Sequence, residues 1–154
     1  MNDKISSLPV IIIRLMVGAV FILEGIQKFL FQDQLGVGRF IKIGLPFPEF
    51  LGYFVPSFEI VCGILVLIGL FTRLAAIPLI IIMLVAISST KIPILLNDGF
   101  WKMAHEARTD WAMLLGSIFL LIVGAGKFSL DYQISLSIRL RQLTDDGLPK
   151  GRLK

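Results

Sequence analysis

Along this chain, apolar stretches long enough to cross a bilayer are separated by short polar ones. From Pro9 to Leu30 the charged residues are Arg14, Glu24 and Lys28 alone, and a run of this length suits the about 20 residues a helix needs to cross the hydrocarbon core. Phe31 to Glu49 carries Gln32, Asp33, Gln34, Gly36, Gly38, Gly44, Pro46 and Pro48, which predict an ordered loop that does not span. Phe50 to Leu70 is the second apolar run. Gly69-Leu-Phe-Thr-Arg73 leaves room only for a tight turn before the third, Leu74 to Leu96, so these two form an antiparallel hairpin. Pro78 falls early in the third helix, whereas Pro93 is expected to stop or kink it near its end.

The fourth run, Trp111 to Gly126, is short at 16 residues and borrows Asp110, Lys127 and Phe128 at its ends. Between the third and fourth runs, 97–110 is the most polar stretch in mid-chain and is expected to be a wet loop edged by Trp101 and Trp111 at the interface. After Ser129 the spacing fits strand or helix. An isolated strand would leave both edges unpaired, so a short surface helix is expected, followed by a disordered basic end from Thr144.

The fold class is therefore an all-α membrane protein, a four-transmembrane-helix bundle with spans at about 9–30, 50–70, 74–96 and 111–126. Residues 1–8 precede the membrane domain 9–130 and are expected to be retained, because Arg14 interrupts any signal-peptide core. Residues 131–154 form an interfacial segment and basic tail. Lys4, Arg14, Arg73, Lys127, Arg139, Arg141, Lys150, Arg152 and Lys154 make nine basic residues on the side shared by both termini. Lys28, Arg39, Lys42, Lys91, Lys102 and Arg108 make six on the other. The positive-inside rule then places both termini in the cytoplasm of a plasma membrane protein, with 31–49 and 97–110 outside.

Composition agrees, with 56% hydrophobic and 17% charged residues against about 25% charged in soluble domains. The net charge of +4 arises from residues at the ends of apolar runs rather than from an aromatic-interleaved patch, which excludes nucleic acid as a partner. Cys62 is the only cysteine, so the chain holds neither an internal disulfide nor a thiolate set for an iron–sulfur cluster.

The charges inside the spans carry the chemistry, because an ionisable group in lipid is costly and usually faces a protein interior. On the first helix Arg14, Gly18, Phe21, Gly25 and Lys28 fall within an arc of about 80°, with Glu24 beside it. On the second, Gly52, Pro56, Glu59, Gly63 and Val66 share a similar arc, which places Glu59 on a small-residue face that can approach another helix closely. Glu24 and Glu59 lie at similar depth in the outer half, where Lys91 and Asp110 can join them. The candidate ligand or quinone pocket is thus Arg14, Glu24, Lys28, Glu59, Lys91 and Asp110. Arg14 stands apart near the cytoplasmic surface, where it can snorkel. The competing reading of Glu24, Lys28 and Glu59 is a structural ion pair that sets helix register. No metal site is expected: His105, Glu106 and Asp110 fall short of a convincing ligand set and fit a solvated loop. Haem would need a second axial ligand opposite His105, and no methionine is placed for it.

The chain resembles the DoxX family of small four-span membrane proteins over about residues 10–131. The resemblance rests on Arg14, Gly25-Ile-Gln-Lys28, Gly44-Leu-Pro46, Glu59-Ile-Val-Cys-Gly63 through Gly69-Leu-Phe-Thr-Arg73, and Gly124-Ala-Gly126-Lys-Phe-Ser-Leu-Asp131. It implies a four-helix bundle. The family's namesake is similar to a small subunit of a membrane complex passing electrons between sulfur compounds, quinone and a terminal oxidase. Arg14, Gly25, Lys28, Glu59 and Gly63 match the family pattern. Glu24 departs from it, standing where histidine or a small residue is common, and an extra acid there alters the proton chemistry of the pocket.

The function expected is an integral membrane subunit of an oxidoreductase complex, with no redox centre of its own, that takes quinone or a small ligand in its polar pocket. Its partners are then the bilayer, other redox-complex subunits and further copies of itself. The alternatives are a small oligomeric transporter or proton and solute path using the same charges, and a membrane assembly factor.

Overall fold

The computed structural model describes residues 7–146, which are helical without strands. The N-terminal residues 1–6 and the basic end from 147 lie outside the described residues. The helices are α1 (Ser7–Leu30), α2 (Val37–Lys42), α3 (Pro48–Ile68), α4 (Thr72–Ala86), α5 (Ile92–Asp98), α6 (Phe100–Glu106), α7 (Arg108–Val123) and α8 (Leu130–Asp146), with a π-helical turn at Ile87–Lys91 joining α4 to α5. Among the described residues, three stretches are long and apolar enough to cross a membrane: Leu8–Leu30, Pro48–Ile68 and Thr72–Asp98. α7, at 16 residues, rises about 24 Å, less than the hydrocarbon thickness.

α1 packs against α3, α4 against α7, and the two pairs meet through the α3–α4 hairpin and an α1–α7 contact. The core between them contains Val10, Val17 and Phe21 of α1, Cys62 and Val66 of α3, Ala75, Ala76 and Leu79 of α4, and Met113 and Leu120 of α7. Large apolar side chains such as Leu15, Leu23, Val61, Ile81, Leu115 and Ile122 face outward, as a surface solvated by lipid requires. In that solvent apolar burial drives helix association little, so close contact between small residues matters more.

The α1–α3 seam shows this directly. A Cβ on Gly18 would lie 2.9 Å from the Gly63 carbonyl, and one on Gly25 would lie 2.8 Å from the Pro56 carbonyl and 2.7 Å from Ile60 Cγ1. Gly18 and Gly25 are two turns apart on one face, as are Pro56 and Gly63 on the other, so the backbones touch at both levels.

At Pro93 the structure selects between the two outcomes expected, and at 97–110 it differs from the expectation. Pro93 does not stop the third helix, which runs on to Asp98. With no N–H at Pro93, and its ring against the carbonyl four residues back, the preceding turn winds as π. Hydroxyls occupy carbonyls there: Ser89 Oγ donates to Val85 O at 2.7 Å and Thr90 Oγ1 to Ala86 O at 2.6 Å. The stretch 97–110, expected to be a loop, is largely helical. Gly99, with φ of +88°, breaks the chain between α5 and α6, and Met103, Ala104 and Glu106 favour the helix that follows. The tail is helical through Asp146 rather than ending its order at Thr144.

Candidate functional site

At the end of the bundle where α1 finishes and α3 begins, Lys28 Nζ donates to both carboxylate oxygens of Glu59, at 2.9 and 2.7 Å. Glu59 is 1% exposed. The short approach follows from the glycine seam, since Gly25, one turn before Lys28, lets α1 lie directly on Pro56 and Glu59. Glu24 Oε2 lies 3.6 Å from the same ammonium, with half its side chain exposed. The acid-before-base order four residues apart is the favourable one on a helix. The three charges therefore run in sequence from a surface acid through a shielded lysine to a buried acid. Arg39 of α2 is near enough for its charge to act on Glu59.

Exposed aromatic rings lie on the outward surface of α1 and α3 toward this end. Phe29 and Tyr53 sit with centroids 6.3 Å apart, and Phe50, Phe54 and Phe58 form a ladder on α3 with spacings of 5.0 and 4.6 Å. Gln32 Oε1 accepts the Val37 N–H at 3.2 Å, tying the start of α2 to the turn after α1, and α2 approaches α3 where Val37 lies against Gly52.

Lys91 and Asp110 form a second ion pair at 3.1 Å, between the π turn and the first turn of α7. Both are partly shielded and lie toward the same end of the bundle as Lys28. They pair with each other by charge, however, and no described hydrogen bond or ion pair links them to Glu24, Lys28 or Glu59. The structure thus gives each helix pair its own ion pair.

Arg14 is placed apart from the other five candidate residues. It is 14 residues from Lys28 along α1, about 21 Å, and 5% exposed rather than snorkelling to the surface. Its guanidinium donates to the carbonyls of Val66, Leu67, Ala125 and Phe128 at 3.0, 2.7, 3.1 and 2.7 Å. Val66 and Leu67 belong to the last turn of α3, where carbonyls lack helical partners. Gly69 completes that end in a Schellman motif: its own N–H and that of Leu70 turn back to Val66 and Leu65. Its φ is +73° and an added Cβ would meet the Arg14 guanidinium, so backbone conformation and close approach both require glycine there.

Asp131 is the residue that sequence reasoning missed at this end. Its carboxylate accepts the N–H groups of Phe71 at 2.9 Å and Thr72 at 3.3 Å, capping α4, while its charge also acts on Arg14. Arg73 reaches the other way, donating to Ile122 O at 3.0 Å. The clue in the sequence is the pairing of two motifs, Gly69-Leu-Phe-Thr-Arg73 and Ser129-Leu-Asp131. They are about 60 residues apart, and only the fold makes them one unit.

His105 lies beside Arg108, whose Nη1 is 3.0 Å from His105 Nε2. Among the described residues no group of three histidine, cysteine or carboxylate side chains is placed to hold a metal ion. Cys62 is buried in the core.

The DoxX family model matches residues 10–92. The chain is 55% identical over 132 residues to the Mycobacterium tuberculosis protein named "Uncharacterized membrane protein Rv3486", an alignment covering 82% of this chain and 81% of that one. It is 30% identical over 132 residues, 84% of this chain and 89% of the other, to the Bacillus subtilis protein named "Putative oxidoreductase CatD". No solved structure matches.

Proposed function

Because the chain belongs to the DoxX family of membrane proteins, we propose that it is an integral membrane subunit of an oxidoreductase complex that contacts quinone through Lys28, Glu59 and Glu24. In this reading α7 is the fourth crossing. It runs antiparallel to α1, and interfacial residues such as Trp111, 47% exposed, make up for its short rise. Both termini then lie on the cytoplasmic side of the plasma membrane, where the larger number of basic residues falls. The name of the Bacillus subtilis relative supports redox chemistry in the complex.

One observation carries the proposal: an ammonium bonded to a carboxylate inside membrane-spanning helices, continued to the surface by a second acid. A purely structural pair would be complete with Lys28 and Glu59; the half-exposed Glu24 adds a route for protons. The donor set suits a quinone. Lys28 can give a hydrogen bond to a carbonyl oxygen, Glu59 and Glu24 can exchange a proton with it, and the Phe29–Tyr53 pair offers flat apolar surface for a ring. A bound quinone would supply the electron-carrying chemistry. The chain's own residues hold the headgroup and move the proton between Glu24 and Glu59.

The protein, purified in lipid nanodiscs from its native membrane, is expected to carry extractable quinone and a redox partner in stoichiometric amount. Glu59→Gln should lower quinone turnover of that complex without lowering protein abundance. A quinone-free protein without a redox partner overturns the proposal. Proton or solute flux through liposomes holding this chain alone, abolished by Glu59→Gln, assigns the pair to a transport path instead. Lost abundance with unchanged turnover assigns it to structure.

A further inference from the structure

A cavity of about 650 Å³ opens at the other end of the bundle, where the α3–α4 turn faces the loop between α7 and α8. This is within the usual range for small-ligand sites, about 300–1,000 Å³. Its walls are of two kinds. Phe71, Leu74 and Val123 form an apolar side, while Arg73, Lys127 and Tyr132 bring polar groups to the mouth. Thr72 begins the third apolar crossing and Val123 ends α7, so the cavity lies at the level where apolar helices give way to polar chain. In a bilayer that is the depth of the lipid phosphates.

Arg73 is exposed yet held in place. One N–H bonds Ile122 O at 3.0 Å, and Gly124 lets the guanidinium lie close, since a Cβ there would sit 3.1 Å from Arg73 Nε. A guanidinium has five donors in a rigid fork suited to phosphate, and a single hydrogen bond leaves most of them available. Asp131, the acid in the lining, does not cancel this charge: its two oxygens already accept the N–H groups of Phe71 and Thr72, and it faces the charge of Arg14.

We infer that this cavity is a binding site for an anionic phospholipid, with Arg73 on the phosphate, the positive charge of Lys127 in the same lining, and Leu74, Val123 and the outward-facing Ile77 and Ile122 along the first part of an acyl chain. The occupant is a lipid rather than a free anion because the apolar wall continues from the mouth onto the lipid-facing surface, where Leu74 and Ile122 are 66% and 69% exposed. This inference does not depend on the role of Lys28 and Glu59.

The test uses the full chain in neutral detergent, with lipid retention read by native mass spectrometry and lipid stabilisation by thermal unfolding. Phosphatidylglycerol should be retained and should raise the unfolding temperature; phosphatidylcholine with the same acyl chains should do neither, and inorganic phosphate should not displace the lipid. Each basic residue near the phosphate contributes about fivefold in affinity, so Arg73→Gln should weaken retention about fivefold, and Arg73→Gln with Lys127→Gln about 25-fold. Arg73→Lys should keep most of it. Val123→Trp, which fills the apolar side and leaves every charge in place, should abolish retention in a folded protein. Equal retention of the two lipids, or retention unchanged in the double variant and in Val123→Trp, overturns the site. Displacement by inorganic phosphate overturns the lipid as its occupant.

Discussion

Lys28 and Glu59 meet through two hydrogen bonds from one ammonium to both oxygens of one carboxylate, across a helix seam that Gly18, Gly25 and Gly63 make narrow. Their separation in sequence is 31 residues, and each belongs to a helix apolar enough to span a membrane.

The two charges depend on each other. Lys28→Met leaves Glu59 buried without its partner and should destabilise the protein by about 3 kcal/mol or more. The double variant Lys28→Met with Glu59→Gln should recover most of that loss, since neither charge then remains unpaired. A double-mutant cycle on unfolding in mixed micelles measures the coupling.

Arg14 should be a sensitive position for stability at the opposite end of the bundle. Its four bonds tie the last turn of α3 to the loop after α7. Arg14→Met should cost about 3 kcal/mol or more, because charge-assisted bonds to buried carbonyls are lost together. Arg14→Lys should recover only part, since an ammonium cannot span four carbonyls as a planar fork does. Thermal unfolding of the two variants in the same detergent tests the ranking.

The glycine seam predicts a position-specific cost. Gly25→Val should destabilise by about 1–3 kcal/mol through overpacking against Pro56 and Ile60, and should weaken the Lys28–Glu59 coupling by pushing α1 away. Leu23→Ala, two residues earlier on the outward face, should change stability little. The same unfolding assay separates them.

Pro93 should control the second ion pair. Pro93→Ala restores the missing N–H and should let the π turn at Ile87–Lys91 return to α winding, rotating Lys91 away from Asp110 by about 100°. Asp110→Asn should therefore destabilise the native chain but add little in the Pro93→Ala background. Non-additivity in the four-variant cycle is the expected result; simple additivity would show that Pro93 and the ion pair are independent.

Much of the fold is visible in the order of residues because a membrane imposes length and polarity rules. The three long apolar helices follow from uninterrupted runs, and the Gly18–Gly25 and Pro56–Gly63 faces follow from helical periodicity. Glu59 on a small-residue face and Glu24 at similar depth are consequences of the same period and of antiparallel chain direction. The π turn was less legible: a proline indicates that a helix must adjust, but stopping, kinking and rewinding all satisfy its lost N–H.

What the sequence determined by itself was which segments are apolar enough to cross a membrane, which helix faces can come close, and which charges must find partners. Partner choice was decided by the tertiary structure. Arg14 is on the same arc as Lys28, yet it binds backbone carbonyls at the opposite end, because the unpaired groups at the end of α3 and after α7 lie there. Asp131 caps a helix about 60 residues away in the chain, and Lys91 finds Asp110 rather than Glu59. The physical reason is that burial demands a partner for each charge without specifying which one. Within reach of a side chain, the answer depends on helix pairing and depth, which only the assembled bundle supplies.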